Sequence, residues 1–215
     1  MIKKIFLLAF LTTSCTNIPL PLYQAGYEGV KEAFFNLDSQ ELTEDYMRSK
    51  KYPIIRMRFG NSRSVILVLV NEVNGVRRWI SADRIKIFTF NGKIISTEGL
   101  PNDFKVNGYE FPKDLQKENS TKRNYIVDFY EPRLLNLYAT SIFTIQESEN
   151  ISNPIIDRPN IEANKMEETV YIEGINSRFK NLYYFSKEGK ILRSEQIIHP
   201  FLKRVSVDFV DAYYN

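Results

Sequence analysis

Alternating apolar and polar residues, interrupted by two Asn-Gly pairs, are the feature that most constrains how this chain can fold. Asn74-Gly75 and Asn91-Gly92 each separate two runs of strand-like sequence. Asn-Gly is the strongest short-range signal for a hairpin, because a type I′ turn needs positive φ at both of its central residues. Two such pairs so close together predict an antiparallel meander.

The same alternation recurs along most of the chain after Pro53. A half-buried strand has this pattern because successive side chains point to opposite faces of the sheet. The runs that we interpret as strands cover residues 55–59, 65–70, 76–81, 84–90, 93–97, 125–129, 143–145, 170–172, 182–185, 190–198 and 205–209. A sheet of about ten antiparallel strands must curl or close, since strand twist accumulates across it.

Three segments depart from simple alternation. Residues 65–70 are apolar on both faces, so we expect them to form the most buried strand. Residues 101–122 are rich in Lys, Asn and Asp and are interpreted as a looser stretch. Residues 148–165 contain Pro154 and Pro159 with few aromatic residues, and they are interpreted as a long loop.

One or two helices are predicted before the strands. Tyr27, Val30, Phe34 and Leu37 recur at spacings of three and four residues, which places them on one face of a helix. Thr43 can cap a second, short helix with its hydroxyl. We expect both helices to pack on the sheet, which gives a mostly β (α+β) domain.

Residues 1–14 have the pattern of a lipoprotein signal peptide. Lys3 and Lys4 precede the apolar run from Ile5 to Leu11, which has the length of a signal-peptide core and is too short to span a membrane. Small residues then lead to Cys15, whose thiol is the expected site of acylation, for instance by palmitate. The alternatives are an ordinary secretory signal, or an N-terminal strand with a core cysteine.

The lipoprotein interpretation fixes the expected organisation of the mature chain. Residues 15–25 form a lipidated tether with two prolines, and residues 26–215 form a single β-rich domain. Several acyl chains on Cys15 give lasting membrane attachment. Thr16 follows the cysteine in place of aspartate, which favours the periplasmic face of the outer membrane.

Charge gives no indication of a nucleic-acid partner. The chain has 29 Lys and Arg against 26 Asp and Glu, and two of the lysines lie in the leader. The mature protein is therefore almost neutral, without the basic surface that nucleic-acid binding requires.

The sequence contains no motif for catalysis, a metal or a cofactor. His199 is the sole histidine, and no Gly-x-Ser-x-Gly segment is present to expose a nucleophile. One histidine and one lipidated cysteine cannot build a zinc site. A glycosidase needs two suitably spaced carboxylates, but no spacing singles out a pair among Asp83, Asp103, Asp128 and Glu195. We therefore expect a protein that is not an enzyme.

Four segments carry a resemblance to a known family. They are Tyr52–Gly60, Trp79–Asp83, Asn91–Leu100 and Gly189–Gln196. Together with the leader, they resemble the YjbF/GfcB-type group 4 capsule polysaccharide lipoproteins in order and spacing. Leu192 departs from the family pattern, which usually has tryptophan at that position.

The resemblance implies a strongly curved antiparallel sheet or half-open β-barrel, and a non-catalytic accessory role in capsule or exopolysaccharide export. It also implies an outer-membrane barrel protein and a periplasmic export protein as partners, with polysaccharide as a further candidate. Candidate ligand or partner residues from its motifs are Trp79, Ser81, Asp83, Arg193 and Gln196. Two alternatives stay open at this point: a carrier of an acyl or lipid ligand in a half-open barrel, and a hydrolase that trims the polymer.

Overall fold

The computed structural model of the protein describes residues 41–49, 52–109 and 121–211. Four of the sequence-based expectations lie outside these residues. They are the signal peptide, the lipidation of Cys15, the tether and the helix from Tyr27 to Leu37.

The described residues form one antiparallel sheet of twelve strands that closes into a barrel. The strands are β1 (Ile54–Phe59), β2 (Val65–Val73), β3 (Val76–Ser81), β4 (Lys86–Phe90), β5 (Lys93–Glu98), β6 (Phe104–Asn107), β7 (Lys122–Phe129), β8 (Leu134–Ile151), β9 (Ile161–Ile172), β10 (Ser177–Phe185), β11 (Ile191–Gln196) and β12 (Val205–Phe209). Each strand pairs with its neighbours in sequence, and β1 also pairs with β12.

The predictions of about ten strands and of a half-open barrel are therefore wrong. The strand that the sequence did not reveal is β6, which has only four residues and lies in the stretch interpreted as loose. It pairs with β7 along its whole length and touches β5 at one residue pair. Without β6 the sheet would have a gap between β5 and β7.

Both Asn-Gly pairs form the predicted turns. Asn74 and Gly75 have φ of 52° and 79°, and Asn91 and Gly92 have φ of 46° and 84°. These positive values are those a type I′ turn requires, and they connect β2 to β3 and β4 to β5.

The seam between β1 and β12 closes the barrel. Five residue pairs align across it, from Ile55 opposite Phe209 to Phe59 opposite Val205. On the outer surface, the Asp208 carboxylate of β12 accepts hydrogen bonds from Arg56 Nη2 at 2.8 Å and from Arg193 Nε at 2.6 Å. Because Arg56 lies on β1 and Arg193 on β11, this carboxylate ties three adjacent strands together.

The barrel interior is filled by side chains. Alternate residues of each strand point inward and are buried, for example Ile55, Met57 and Phe59 of β1, and Val205 and Val207 of β12. The interior therefore holds a packed hydrophobic core.

A second apolar cluster covers part of the outer wall. The short helix α1 (Glu44–Ser49) is the one helix predicted at Thr43, and the Thr43 hydroxyl accepts a hydrogen bond from the Tyr46 amide at 3.2 Å. Leu42 and Met47 pack there with buried residues of the outer wall. The core partners in this cluster are Ile54, Ile151, Ile155, Ala163, Tyr184, Leu192 and Val210.

This cluster explains why β2 is apolar on both faces. Ile66 and Val68 point outward and pack against it, while Leu67 points into the barrel. The prediction that residues 65–70 form the most buried strand is wrong at the C-terminal end of this run, because Val70 is 47% exposed.

The predicted loop at residues 148–165 is largely strand. β8 continues to Ile151 and β9 starts at Ile161, with Glu149 opposite Ala163. Residues 146–150 are polar and exposed, so this end of the hairpin lacks the apolar alternation that reveals a half-buried strand. Only residues 152–160, which include Pro154 and Pro159, form the loop.

Loss of the seam carboxylate should destabilise the barrel. In Asp208→Ala, Arg56 and Arg193 lose their shared partner at a site where Asp208 is buried, so we expect the free energy of unfolding to fall by about 2–4 kcal/mol. Urea denaturation followed by tryptophan fluorescence measures the change. The matched control is Glu98→Ala, which removes an exposed pair with Lys86 and should cost less than about 1 kcal/mol. Equal losses in the two variants would contradict a structural role for the seam carboxylate.

Candidate functional site

A buried ion pair lies inside the barrel. The Lys93 ammonium at the start of β5 contacts the Glu168 carboxylate of β9, and both side chains are almost fully buried. Ser141 Oγ donates to Glu168 Oε1 at 2.5 Å, while Asn181 Nδ2 and Tyr183 Oη donate to Glu168 Oε2 at 2.9 and 2.7 Å. The carboxylate thus has polar partners from three other strands, which is what a charge in a low-dielectric interior requires.

The environment keeps both groups charged. Burial by itself would lower the pKa of Lys93, but the adjacent carboxylate outweighs it and the pKa of Lys93 is raised. Burial likewise opposes ionisation of Glu168, yet the lysine and the hydrogen bonds hold the pKa of Glu168 below its usual value. The rings of Tyr109 and Tyr125 also face the ammonium, at 4.4 and 4.9 Å from their centroids.

Gln196 connects two strands that are not neighbours in the sheet. From β11, its Oε1 accepts from the Ile94 amide at 3.0 Å, and its Nε2 donates to the Gly92 carbonyl at 2.8 Å. Gly92 allows this approach, because a Cβ on it would lie 2.6 Å from Ile191 Cγ1. The side-chain amide therefore draws β5 and β11 together across the interior.

A cavity of about 500 Å³ opens at one end of the barrel, which we call the mouth. The mouth is bounded by the two Asn-Gly turns, the turn between β10 and β11, the start of β1 and the residues that follow β12. Its floor is apolar and consists of Leu69, Trp79, Ile191 and Phe209.

The floor of the mouth is held in a fixed arrangement. Trp79 Nε1 donates to Thr89 Oγ1 at 2.8 Å, and the indole packs edge-on against Phe209 with 6.1 Å between ring centroids. Trp79 lines the cavity but is only 1% exposed, so little of the indole reaches it.

The rim of the mouth carries charged and polar groups. Arg77 Nε donates to Glu72 Oε2 at 2.8 Å, and Asp211 Oδ2 accepts from the Ile54 amide at 3.2 Å. Partial burial raises the pKa of Asp211. Lys190 and Asn91 complete the rim.

The five residues singled out by the family motifs do not share one surface. Trp79 and Gln196 are buried inside the barrel, and Arg193 lies on the outer wall at the seam. Ser81 is buried at the end opposite the mouth, where its Oγ accepts from the Ile85 amide, and Asp83 is exposed in the same turn. Of the five, only Trp79 lines the mouth.

Two of the carboxylates considered for catalysis are held by hydrogen bonds of the barrel framework. Asp103 accepts hydrogen bonds from Thr97 Oγ1 and from two amides of its own turn, and Asp128 binds Asn107 Nδ2 and the Asn136 amide. These contacts give both carboxylates a structural role in turns and strand pairs.

His199 is enclosed by aromatic rings. It lies edge-on to Phe129 at 4.6 Å between centroids, and its Nδ1 accepts from the Phe201 amide at 3.3 Å. Burial lowers the pKa of His199 to about 4, so the imidazole is neutral at pH 7.

Sequence reasoning missed the two most buried charges, Lys93 and Glu168. A signal for Glu168 was present, because it occupies an inward position in the alternating series Met166, Glu168, Val170 and Ile172. A charged residue at a core position indicates a buried partner. Lys93 gave no such signal, since it directly follows a turn where lysine is usually solvated.

Within residues 41–49, 52–109 and 121–211, no group of three His, Cys, Asp or Glu side chains is placed to hold a metal ion. In the same part of the chain, no helix has the length and apolar character needed to cross a bilayer.

Comparison with known families decides the assignment. The model of the family of group 4 capsule polysaccharide lipoprotein gfcB, YjbF, matches residues 27–210. The chain belongs to this family. The resemblance carried by the four sequence segments is therefore confirmed for the YjbF family. Among curated proteins, none matches the chain significantly in sequence.

A solved structure shares the fold of this YjbF-family protein. The crystal structure of the hypothetical lipoprotein YmcC from Escherichia coli K12 is similar, with a TM-score of 0.68 and 17% identity, over 80% of this chain and 89% of YmcC. A protein from Parabacteroides distasonis gives a TM-score of 0.37 at 8% identity, over 75% of this chain and 94% of its own. A Bacteroides fragilis protein with a YmcC-like fold gives a TM-score of 0.34 at 13% identity, over 74% of this chain and 94% of its own. The YmcC match supports the fold, and the two weaker matches add no argument.

The buried pair makes a sharp stability test in this YjbF-family protein. Lys93→Met leaves the Glu168 carboxylate buried without its cation, so we expect the free energy of unfolding to fall by about 3–5 kcal/mol. Adding Glu168→Gln removes the orphaned charge and keeps an amide that can bond Ser141, Asn181 and Tyr183, so the double variant should regain at least half of the loss. Thermal and urea unfolding of both variants measure the change in the free energy of unfolding. A double variant no more stable than Lys93→Met would contradict charge burial as the cause.

Proposed function

We propose that the protein is an outer-membrane-anchored lipoprotein that acts as a non-catalytic accessory factor in capsule or exopolysaccharide export. The family match over residues 27–210 is the observation that carries the proposal. The sequence adds a signal-like leader and Cys15, which would hold the barrel at the periplasmic face of the outer membrane. An outer-membrane barrel protein and a periplasmic export protein are the proposed partners.

A non-catalytic role agrees with the positions of the titratable groups. Asp83 is exposed and Asp128 is bound to two asparagines, while His199 is neutral and enclosed by rings. A triad or a carboxylate pair needs its members within hydrogen-bond or substrate reach. No contact joins these three residues in the described part of the chain. A trimming hydrolase therefore gains no support from them.

The carrier hypothesis is weakened by the packing of the interior. An acyl chain needs a long apolar channel, but the barrel core is filled by side chains. The internal cavity lined mainly by apolar side chains, such as Phe104, Val127 and Val170, measures only about 30 Å³, far below the roughly 300–1,000 Å³ of a ligand pocket.

Deletion of the gene tests the proposed function. We expect the deletion strain to lose most of its surface polysaccharide, measured by extraction and uronic-acid or hexose assay, and to regain it with the wild-type gene. Complementation with Cys15→Ser should give soluble periplasmic protein and little polysaccharide, because the barrel is no longer held at the membrane. Thr16→Ser is the matched control and should complement fully. Normal polysaccharide in the deletion strain would refute the proposal.

A further inference from the structure

The mouth has the size and shape of a small-ligand site. Ligand pockets in proteins span about 300–1,000 Å³ and are found in the mouths of β-barrels, and the mouth measures about 500 Å³. An apolar floor beneath a few polar groups is the usual lining of such pockets.

The rim offers donors and acceptors that the fold leaves free. Arg77 uses Nε for Glu72, and its two terminal nitrogens have no protein partner among the described residues. Asp211 uses Oδ2 for the Ile54 amide, and in the same part of the chain its Oδ1 has no hydrogen bond. Both residues line the cavity, and these atoms can bond a ligand without breaking the hydrogen bonds to Glu72 and the Ile54 amide.

The charges of the rim balance. Glu72 and Asp211 are acidic, whereas Arg77 and Lys190 are basic, so the rim has no net charge to select a simple anion or cation. A rim that has both donors and acceptors suits a ligand whose groups can both donate and accept, and a hydroxyl is such a group. A ligand with several hydroxyls around an apolar ring face matches both the rim and the floor.

The mouth is also rigid. Its lining comes from strand ends and two-residue turns of a closed barrel, and Gly75 is tightly enclosed, since a Cβ there would lie 2.8 Å from the Phe90 ring. A preformed site loses little entropy on binding, which favours ligands that make individually weak contacts, such as saccharides.

We infer that the mouth is a saccharide-binding site in which Arg77 and Asp211 bond the hydroxyls of a sugar unit above the floor of Leu69, Trp79, Ile191 and Phe209. This inference rests on the proposed function, because it identifies the ligand as a segment of the exported polymer. The polymer segment enters from the open end and is bound without any covalent step.

Binding of defined oligosaccharides tests the inference. The probes are fragments of one to four repeat units, prepared by partial hydrolysis of the surface polysaccharide of the source strain, and the full-length protein is used in detergent. Calorimetry should show saturable binding to the wild type. Arg77→Leu and Asp211→Asn should each weaken it at least tenfold, the loss expected for one hydrogen bond to a charged group.

Matched controls lie at the opposite end of the barrel. Arg178→Leu and Glu173→Gln make the corresponding chemical changes at exposed residues and should alter the dissociation constant by less than twofold. Melting temperatures within a few degrees of wild type show that the variants are folded.

Unchanged affinity in both mouth variants would overturn the inference, as would binding of dodecanoate in place of the oligosaccharides. Absence of saccharide binding in a protein whose deletion abolishes surface polysaccharide would refute the mouth as a glycan site and leave the proposed function standing. Normal polysaccharide in the deletion strain would refute the proposed function itself.

Discussion

Pairing of the first strand with the last is the constraint on which the rest of this structure depends. Arg56 and Asp208 are 152 positions apart in sequence and meet directly across the seam. Closing such a long loop costs chain entropy. The strand hydrogen bonds, the buried side chains behind them and the ion pairs of Asp208 with two arginines must offset this cost. Only a closed sheet has an enclosed core and a defined mouth.

Polar contacts inside the barrel then fix the distance between strands that face each other across the interior. Lys93 and Gln196 join β5 to strands on the other side of the interior, and each has hydrogen-bond partners there. A buried polar network that is satisfied favours one arrangement over its alternatives, since any slip in register leaves a charge or an amide unpaired. We attribute the fixed position of Gly92 and Ile191 at the mouth to these polar contacts.

The sequence predicted the mostly β class, both Asn-Gly turns, the helix capped by Thr43 and the family. It failed where a strand lacked the usual pattern: β6 is too short to show alternation, and residues 146–150 of β8 are polar on both faces. Two of the motif residues, Gln196 and Ser81, bond to the backbone of neighbouring strands and turns. The mouth brings together Leu69, Arg77, Ile191 and Asp211, and only the closed topology makes them neighbours.

The central claim is that the mouth faces the polymer while it is exported, and photo-crosslinking in living cells tests it most directly. A photoreactive amino acid replaces Lys190 on the rim, or Tyr138, which is 66% exposed on the outer wall. After irradiation, the purified protein is probed for attached saccharide. The account predicts polysaccharide on the protein labelled at position 190 and none on that labelled at position 138. Saccharide at neither position, or at position 138 alone, would contradict it.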